Sequence, residues 1–351
     1  MRILILKTGA LGDVLRTTSI LSGLHARHPG CRVSWLVAEG AEDLVRHHPL
    51  VAAVHSVRPE DPSSVAAAGQ KLGAEAWDRV LSFDDEVPLC ALASRLSGGG
   101  DPAILSGAYL DAEGRPAYTP DTAPWFDMGL LSRFGKAEAD RRKAANRESH
   151  PALFARMLGI APGEPALPIP AAALRRAAAW MARAGLEAAG AVVGLNTGAG
   201  GRWDAKRLPV GRTIALAERI ARDSSAAVAF VVLGGPEEAA RQAEILRGLA
   251  GRVRAVDGGT ENSLLDFAAR IDRLDLLVTS DSLALHVAIA RRVKVLAFFA
   301  PTSAAEIELY GRGEKVASTA PDSCSYRPDA DTSTLTVERL APPALRLLAG
   351  G

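Results

Sequence analysis

Short apolar runs recur along the chain, each followed by a polar or glycine-bearing turn and then a stretch of helix length. The first is Ile3-Leu4-Ile5-Leu6, continued by Lys7-Thr8-Gly9-Ala10-Leu11-Gly12-Asp13-Val14-Leu15-Arg16. An unbroken apolar run of this kind reads as a strand covered on both faces, leading through a glycine turn into a helix. Further strands are expected over 32–37, 51–57 and 79–83, separated by helical segments, and this alternation predicts a parallel sheet of βαβ units. From about 98 to 124 the pattern weakens amid Gly, Pro and Asp, and the stretch reads as an irregular excursion beside a binding cleft. Residues 132–150 carry a helical pattern rich in Arg and Lys.

A proline-rich stretch, Pro162-Gly163-Glu164-Pro165-Ala166-Leu167-Pro168-Ile169-Pro170, has the composition of a semi-rigid linker. Beyond it the alternation restarts. An Ala/Arg-rich helix over 171–184 precedes strands expected over 191–195, 226–233, 252–256, 274–279 and 293–298, with a last helix over 337–348. The expected division is therefore a first domain over 1–165, a second over 171–333, and a C-terminal segment, 334–351, that packs back on the first domain.

Length agrees with two domains, since 351 residues exceed what one hydrophobic core usually serves. Hydrophobic residues make up 48% of the chain, ample for two cores, and 41 basic residues nearly balance 40 acidic ones, for a net charge of +1. That balance gives no whole-molecule attraction to nucleic acid, so any basic site must be local. Three scattered cysteines, Cys31, Cys90 and Cys324, form no CxxC pair and suggest a reducing, cytoplasmic setting. The opening apolar run is shorter than the roughly 7 to 15 residues of a signal core, and no segment approaches the roughly 18 of a membrane span, so bilayer contact is expected to be peripheral.

Four loops could carry chemistry. In the first, Asp13 is set at the carboxyl edge of a sheet, where open α/β folds bind ligands. In the second, Thr197-Gly198-Ala199-Gly200-Gly201-Arg202-Trp203 leads to Asp204-Ala205-Lys206-Arg207-Leu208-Pro209, and a lysine there can neutralise a diphosphate. In the third, Glu237 and Glu238 follow Gly234-Gly235-Pro236, which suits a first helical turn by dipole alone and also a ribose diol. The fourth is Ser280-Asp281-Ser282-Leu283-Ala284-Leu285-His286, with Ser282 at a helix N-terminus, able to cap it or to favour an anion there, and His286 on the same face. Singly, each loop also has a purely structural explanation: glycines end strands, Lys-Arg pairs are solvated, and histidines pack. Neither glycine loop has the G-x-G-x-x-G spacing of a dinucleotide site.

Taken together and in this order, the loops resemble those of glycosyltransferase family 9, the ADP-heptose:lipopolysaccharide heptosyltransferases. Lys7-Thr8-x-x-x-Gly12-Asp13-Val14 resembles the family's opening motif, Ala205-Lys206-Arg207-x-Pro209 its donor-phosphate motif, and Asp281-Ser282-x-x-x-His286 its donor-site Asp-Ser-Gly-x-x-His. The resemblance implies an α/β, GT-B fold of two Rossmann-like parallel-sheet domains facing a central cleft, with acceptor on the first and nucleotide sugar on the second. It implies inversion without metal or cofactor, the donor being a substrate, ADP-heptose by this likeness. Asp13 would be the general base and Lys206 would stabilise the departing ADP; Thr197, Gly198, Glu237, Asp281, Ser282 and His286 would bind donor. Lys7, Gly12 and Arg16 would face the acceptor. An Asp near a helix N-terminus is a weak base, reliably ionised, which suits proton transfer late in bond formation.

Two departures from the family pattern bear on the donor. Leu208 stands where an aromatic is usual and Leu283 where a glycine is usual, which weakens base stacking and close backbone approach to phosphate. The terminal cysteine cluster of some members is missing. An anionic, membrane-embedded acceptor would suit the basic face over 132–150, carrying Arg133, Lys136, Arg141, Arg142, Lys143 and Arg147, although a solvated helix explains the same charges. Other readings are transfer from another nucleotide sugar or to a non-lipid acceptor, a nucleotide-sugar epimerase, a nicotinamide-dependent oxidoreductase with Glu39 on the ribose, and a silent sugar-nucleotide binding module.

Overall fold

The computed structural model describes residues 1–200 and 203–350. The chain forms two compact units, Met1–Pro168 and Ile169–Gly351. In the first the elements run β1 (Arg2–Leu6), α1 (Leu11–Thr17), α2 (Ile20–Arg27), β2 (Arg32–Ala38), β3 (Ala53–Val57), α3 (Pro62–Gly73), β4 (Arg79–Ser82) and α4 (Val87–Leu96). They continue with β5 (Leu105–Leu110), β6 (Pro116–Tyr118), α5 (Ala123–Phe126), α6 (Lys136–Ala145) and α7 (His150–Leu158). The sheet order is β3-β2-β1-β4-β5-β6, parallel except for the antiparallel β6.

The second unit runs α8 (Ala171–Arg183), β7 (Ala191–Asn196), α9 (Val210–Asp223), β8 (Val228–Leu233), α10 (Ala239–Leu249), β9 (Arg254–Asp257) and α11 (Leu264–Ile271). It ends with β10 (Leu276–Ser280), α12 (Leu283–Ala290), β11 (Lys294–Phe299), β12 (Gly313–Ala317) and α13 (Val337–Ala349). Its sheet, β12-β11-β10-β7-β8-β9, is parallel throughout. In both sheets the strand order reverses beside the strand that opens the unit, between β1 and β4 and between β7 and β10. At such a switch point the following loops diverge and leave a crevice at the carboxyl ends of the strands.

Burial explains why the opening strands were legible. Ile3, Leu4, Ile5 and Leu6 are each at most 1% exposed, because helices cover both faces of the sheet. The stretch 98–124 is different from expectation. It contributes β5, which pairs with β4 in the sheet, and β6 at its edge. Its strand is built from Ser106, Gly107 and Ala108 where an apolar run would have announced it, and the small residues let β5 lie tightly on β4. Gly107 has φ +129°, and a Cβ on it would overlap the Ser82 carbonyl oxygen. The edge strand β12, Gly-Glu-Lys-Val-Ala, was also not expected; its polar alternation reflects a border position.

The C-terminal helix α13 packs within the second unit, against α9, β11 and β12. Leu340, Ala341 and Ala344 sit in the same apolar cluster as Leu216 of α9 and Leu296 of β11, so its stripe is spent there. Within the basic stretch 132–150 the helix α6 covers Lys136–Ala145, and α7 begins only at its last residue, His150.

Because Gly107 locks the end of β4, Gly107→Ala is expected to lower stability by roughly 2 to 4 kcal/mol. Urea unfolding would read this as a lower midpoint of the first transition; an unchanged midpoint would mean that β5 shifts without cost.

Candidate functional site

In the first unit the β1 turn is pinned before any side chain is considered. The Lys7 amide donates to the Leu36 carbonyl at 3.2 Å, and the Trp35 indole donates to the Lys7 carbonyl at 3.0 Å. From this anchor Lys7 reaches across the switch point. Its Nζ lies 2.5 Å from Oδ1 of Asp84, two residues beyond β4, while the Thr8 amide and Thr8 Oγ1 (2.8 Å) donate to Oδ2. Burial works to lower the Lys7 pKa, but Asp84 and then Asp13 raise it, and the net direction is upward. The ammonium is therefore charged at neutral pH.

Asp13, on the first turns of α1, faces Arg16 at 2.9 Å, and the Arg16 guanidinium lies 5.4 Å from the Trp125 ring centroid. Gly12 is the residue before Asp13 in α1. Lys7, Asp13 and Arg16 are thus brought into one charged group with Asp84, which the sequence reading did not single out. The acidic run Asp84-Asp85-Glu86 directly after a predicted strand was the available signal.

The second unit repeats the arrangement with different side chains. Asn196 closes β7, and its Nδ2 donates to the Gly198 carbonyl at 2.7 Å, to Thr279 Oγ1 at 3.0 Å and to Ser282 Oγ at 3.2 Å. Thr279 and Ser282 share a hydrogen bond of 3.1 Å. Ser282 occupies the position before α12 but makes no side-chain cap, so the capping expected of it gives way to this network. Lys206 ends a short 3-10 turn, Asp204–Lys206, and donates to the Asp281 carbonyl at 2.8 Å and to Asp281 Oδ2 at 3.3 Å. His286 Nε2 lies 3.6 Å from Asp281 Oδ1, and its ring is buried.

The glycine loop is held from below. Thr197 Oγ1 donates to the Leu233 carbonyl at 3.0 Å, and Arg241 donates to the carbonyls of Thr197 and Leu208. Glu238, 4% exposed, accepts from the Gly235 amide at 2.9 Å and fills the space where a Cβ on Gly198 would be. Glu237 is exposed, so of the two acids the inward one is Glu238. Gly201 and Arg202 lie outside the described residues. Leu208 points into the core with Leu195, Val278 and Phe298 and offers no stacking surface. Asn196, Thr279 and Arg241 were missed because polar residues at strand ends and on helices have no distinctive spacing.

Chemically, the second crevice presents a lysine, two hydroxyls, an amide and the amino end of an eight-residue helix. Such a set favours a multiply charged anion. Among the described residues no group of three or more His, Cys, Asp or Glu could hold a metal ion.

Solved structures share this architecture over the whole chain. A family 9 glycosyl transferase from Veillonella parvula superposes with a TM-score of 0.75 at 19% identity, covering 100% of this chain and 97% of the other. Escherichia coli ADP-heptose lps heptosyltransferase II gives 0.67 at 18%, covering 100% and 99%. Escherichia coli heptosyltransferase WaaC with ADP gives 0.60 at 21%, covering 97% and 96%. Two parallel α/β units of this kind define the GT-B class. Residues 138–334 match the model of glycosyltransferase family 9 (heptosyltransferase), and the chain belongs to that family. Among individual relatives, lipopolysaccharide heptosyltransferase 1 of Escherichia coli K12 is 33% identical over 109 residues, 28% of this chain and 34% of that protein. The namesake from Pseudomonas aeruginosa is 41% identical over 54 residues, 15% of each. The chain therefore aligns with only about a third or less of these relatives' length.

The Lys7–Asp84 pair should be energetically coupled, since breaking a buried pair from one side leaves the other charge stranded. In a double-mutant cycle of Lys7→Met and Asp84→Asn, unfolding should give a coupling of roughly 1 to 3 kcal/mol. Additive losses would show the contact to be incidental.

Proposed function

We propose that this protein is an inverting, metal-independent glycosyltransferase that moves heptose, or a related sugar, from an ADP-sugar to a lipopolysaccharide inner-core-like acceptor. The observation that carries the reading is the second crevice, where Lys206 from the segment after β7 meets Asp281, Ser282 and His286 from the segment after β10, at the β7–β10 switch point. Family membership supports it, as does the occurrence of ADP and ADP-2-deoxy-2-fluoro heptose in structures of WaaC, which shares the fold.

In this reading Lys206 and the amino end of α12 take the charge that develops on the diphosphate as the bond from the anomeric carbon to its oxygen breaks. The ADP leaves with that electron pair. The acceptor oxygen bonds to the opposite face of the same carbon, and its proton passes to the Asp13 carboxylate. Arg16 orients that carboxylate, and Lys7, tied to Asp84, holds the turn on which it stands. Thr197, Gly198 and the Glu237-Glu238 pair belong to the donor side, and Gly12 to the acceptor side. Stabilising the leaving group is the larger contribution.

Incubation with ADP-heptose and other nucleotide sugars, with and without a Kdo-bearing acceptor, should release ADP in an acceptor-dependent way. Asp13→Asn should bind donor normally and lose about 10³-fold in kcat; Lys206→Ala should lose about 10² to 10³-fold. Near-normal transfer by Asp13→Asn would remove the carboxylate from its role, and turnover of NADH without sugar transfer would end the reading.

A membrane-borne acceptor would be met by the exposed apolar residues of the first unit. Leu130 is 84% exposed and Phe134 43%, beside Arg133 and Arg142, whose guanidiniums lie 4.9 and 3.8 Å from the Phe134 ring. Many charges of α6 are matched locally, Lys136 by Asp140 and both Arg141 and Arg142 by Glu138, so apolar insertion would carry more of the binding than charge. No helix among the described residues is long and apolar enough to cross a membrane. Sedimentation with phosphatidylglycerol vesicles should show binding that falls several-fold in Leu130→Ser/Phe134→Ser; equal binding by the variant would place the contact elsewhere.

A further inference from the structure

At the amino ends of β1, β2 and β3, opposite the Lys7–Asp13 turn, the first unit contains a cavity of about 350 Å³ lined by Arg2, Arg32, Ser34, His55, Glu75 and Trp77. Strand register explains the grouping. Arg2 pairs with Arg32 and Ser34 with Ala53, so alternate residues of the three strands present one face, and Arg2, Arg32, Ser34 and His55 all fall on it. The same face carries the Leu4–Trp77 core cluster further along the strands, with Trp77 closing the cavity from the loop after α3.

The polar groups in this cavity are not all used by the protein. Arg2 ion-pairs with Glu75 and lies over the Trp77 ring, whose indole N–H is spent on the Leu72 carbonyl. Arg32, by contrast, has no side-chain partner among the described residues, and Ser34, 8% exposed, shows no hydrogen bond from its hydroxyl. His55 Nδ1 is buried and has no hydrogen-bond partner. Buried polar atoms of native proteins are satisfied in the great majority of cases, so the orphaned His55 Nδ1 beside an open volume, with the exposed and unpaired Arg32 guanidinium at the same face, calls for an occupant. Two guanidiniums against one carboxylate make the cavity net positive, and its volume lies in the range of small-ligand sites.

We propose that this cavity binds a small phosphorylated molecule of sugar-phosphate size, separate from the donor crevice. Arg32 takes the phosphoryl oxygens, the guanidinium fork matching them in a two-pronged contact, and Arg2 adds its charge from the rim. Ser34 and His55 Nδ1 take hydroxyl groups of the body. Strands of five to seven residues separate this cavity from the Asp13 end of the sheet by roughly 15 Å, so occupancy does not compete with an acceptor at that turn.

Calorimetric titration of the full chain with glucose 6-phosphate, inorganic phosphate and glucose tests this. The sugar phosphate should bind with Kd of about 1 mM or tighter, phosphate alone more weakly, and glucose not measurably. Arg32→Ala, at an exposed residue with no structural partner, should weaken the sugar phosphate roughly tenfold or more at an unchanged melting temperature, and His55→Ala should also weaken it. Lys206→Ala should leave it intact, which separates this site from the donor crevice and from the function proposed there. Binding that survives Arg32→Ala but disappears in Lys206→Ala would assign the anion to the donor loop and overturn the proposal. Absence of heat at about 10 mM of every probe would do the same.

Discussion

A parallel sheet gains its stability by burying both faces, which leaves only the strand ends free for polar work, and a reversal of strand order is the one place where two such ends open side by side. Both units of this protein are built on that constraint. Between β1 and β4, and again between β7 and β10, the loops part in opposite directions, and the side chains at the last positions of the two central strands must satisfy one another or a ligand. In the first unit Lys7 meets Asp84; in the second Asn196 meets Thr279 and Ser282. The rest of each unit, from the apolar β1 to the cluster that holds α13, serves to keep those two strand ends in place.

The two lysines at these reversals differ in how firmly their partners hold them. Lys7 is 12% exposed and Asp84 3%, with the pair at 2.5 Å and the Asp84 carboxylate further saturated by Thr8. Lys206 and Asp281 are each 20% exposed, and the ammonium stands 3.3 Å from the carboxylate while leaning on a backbone carbonyl. Opening the first pair strands a buried charge and costs several kcal/mol; opening the second exchanges one solvent-reachable partner for another. A cation that can change partners cheaply is suited to an anionic substrate that arrives and departs. Lys7, tied to a buried carboxylate, is suited to fixing the loop on which it stands.

Hydrophobic pattern made most of the architecture legible, because central parallel strands such as Ile3-Leu4-Ile5-Leu6 are apolar at every position. It failed where the fold uses small or polar residues. β5 is carried by Ser106-Gly107-Ala108, whose value is closeness to β4, and β12 is an edge strand with Glu314 and Lys315 in it. The site was legible where a motif has fixed spacing within one loop, as in Asp281 to His286. It was not legible where partners lie far apart in sequence: Asp84 is 77 residues from Lys7, Thr279 is 83 from Asn196, and only folding brings either pair together.

The two departures from the family pattern also separate once burial is considered. Leu208 is 5% exposed, sits among Leu195, Val278 and Phe298, and has its carbonyl held by Arg241. It shapes the core beneath the loop and touches the chemistry only through the loop's position. The aromatic surface beside the lysine comes from Trp203, whose ring centroid lies 5.3 Å from the Lys206 ammonium and which meets Tyr326 edge to face at 6.1 Å. Leu283, the first residue of α12, is half-buried, and its side chain adds bulk where a glycine would leave the helix amides bare. A change at 208 therefore acts through packing, whereas a change at 283 acts on how closely an anion can approach the amino end of α12.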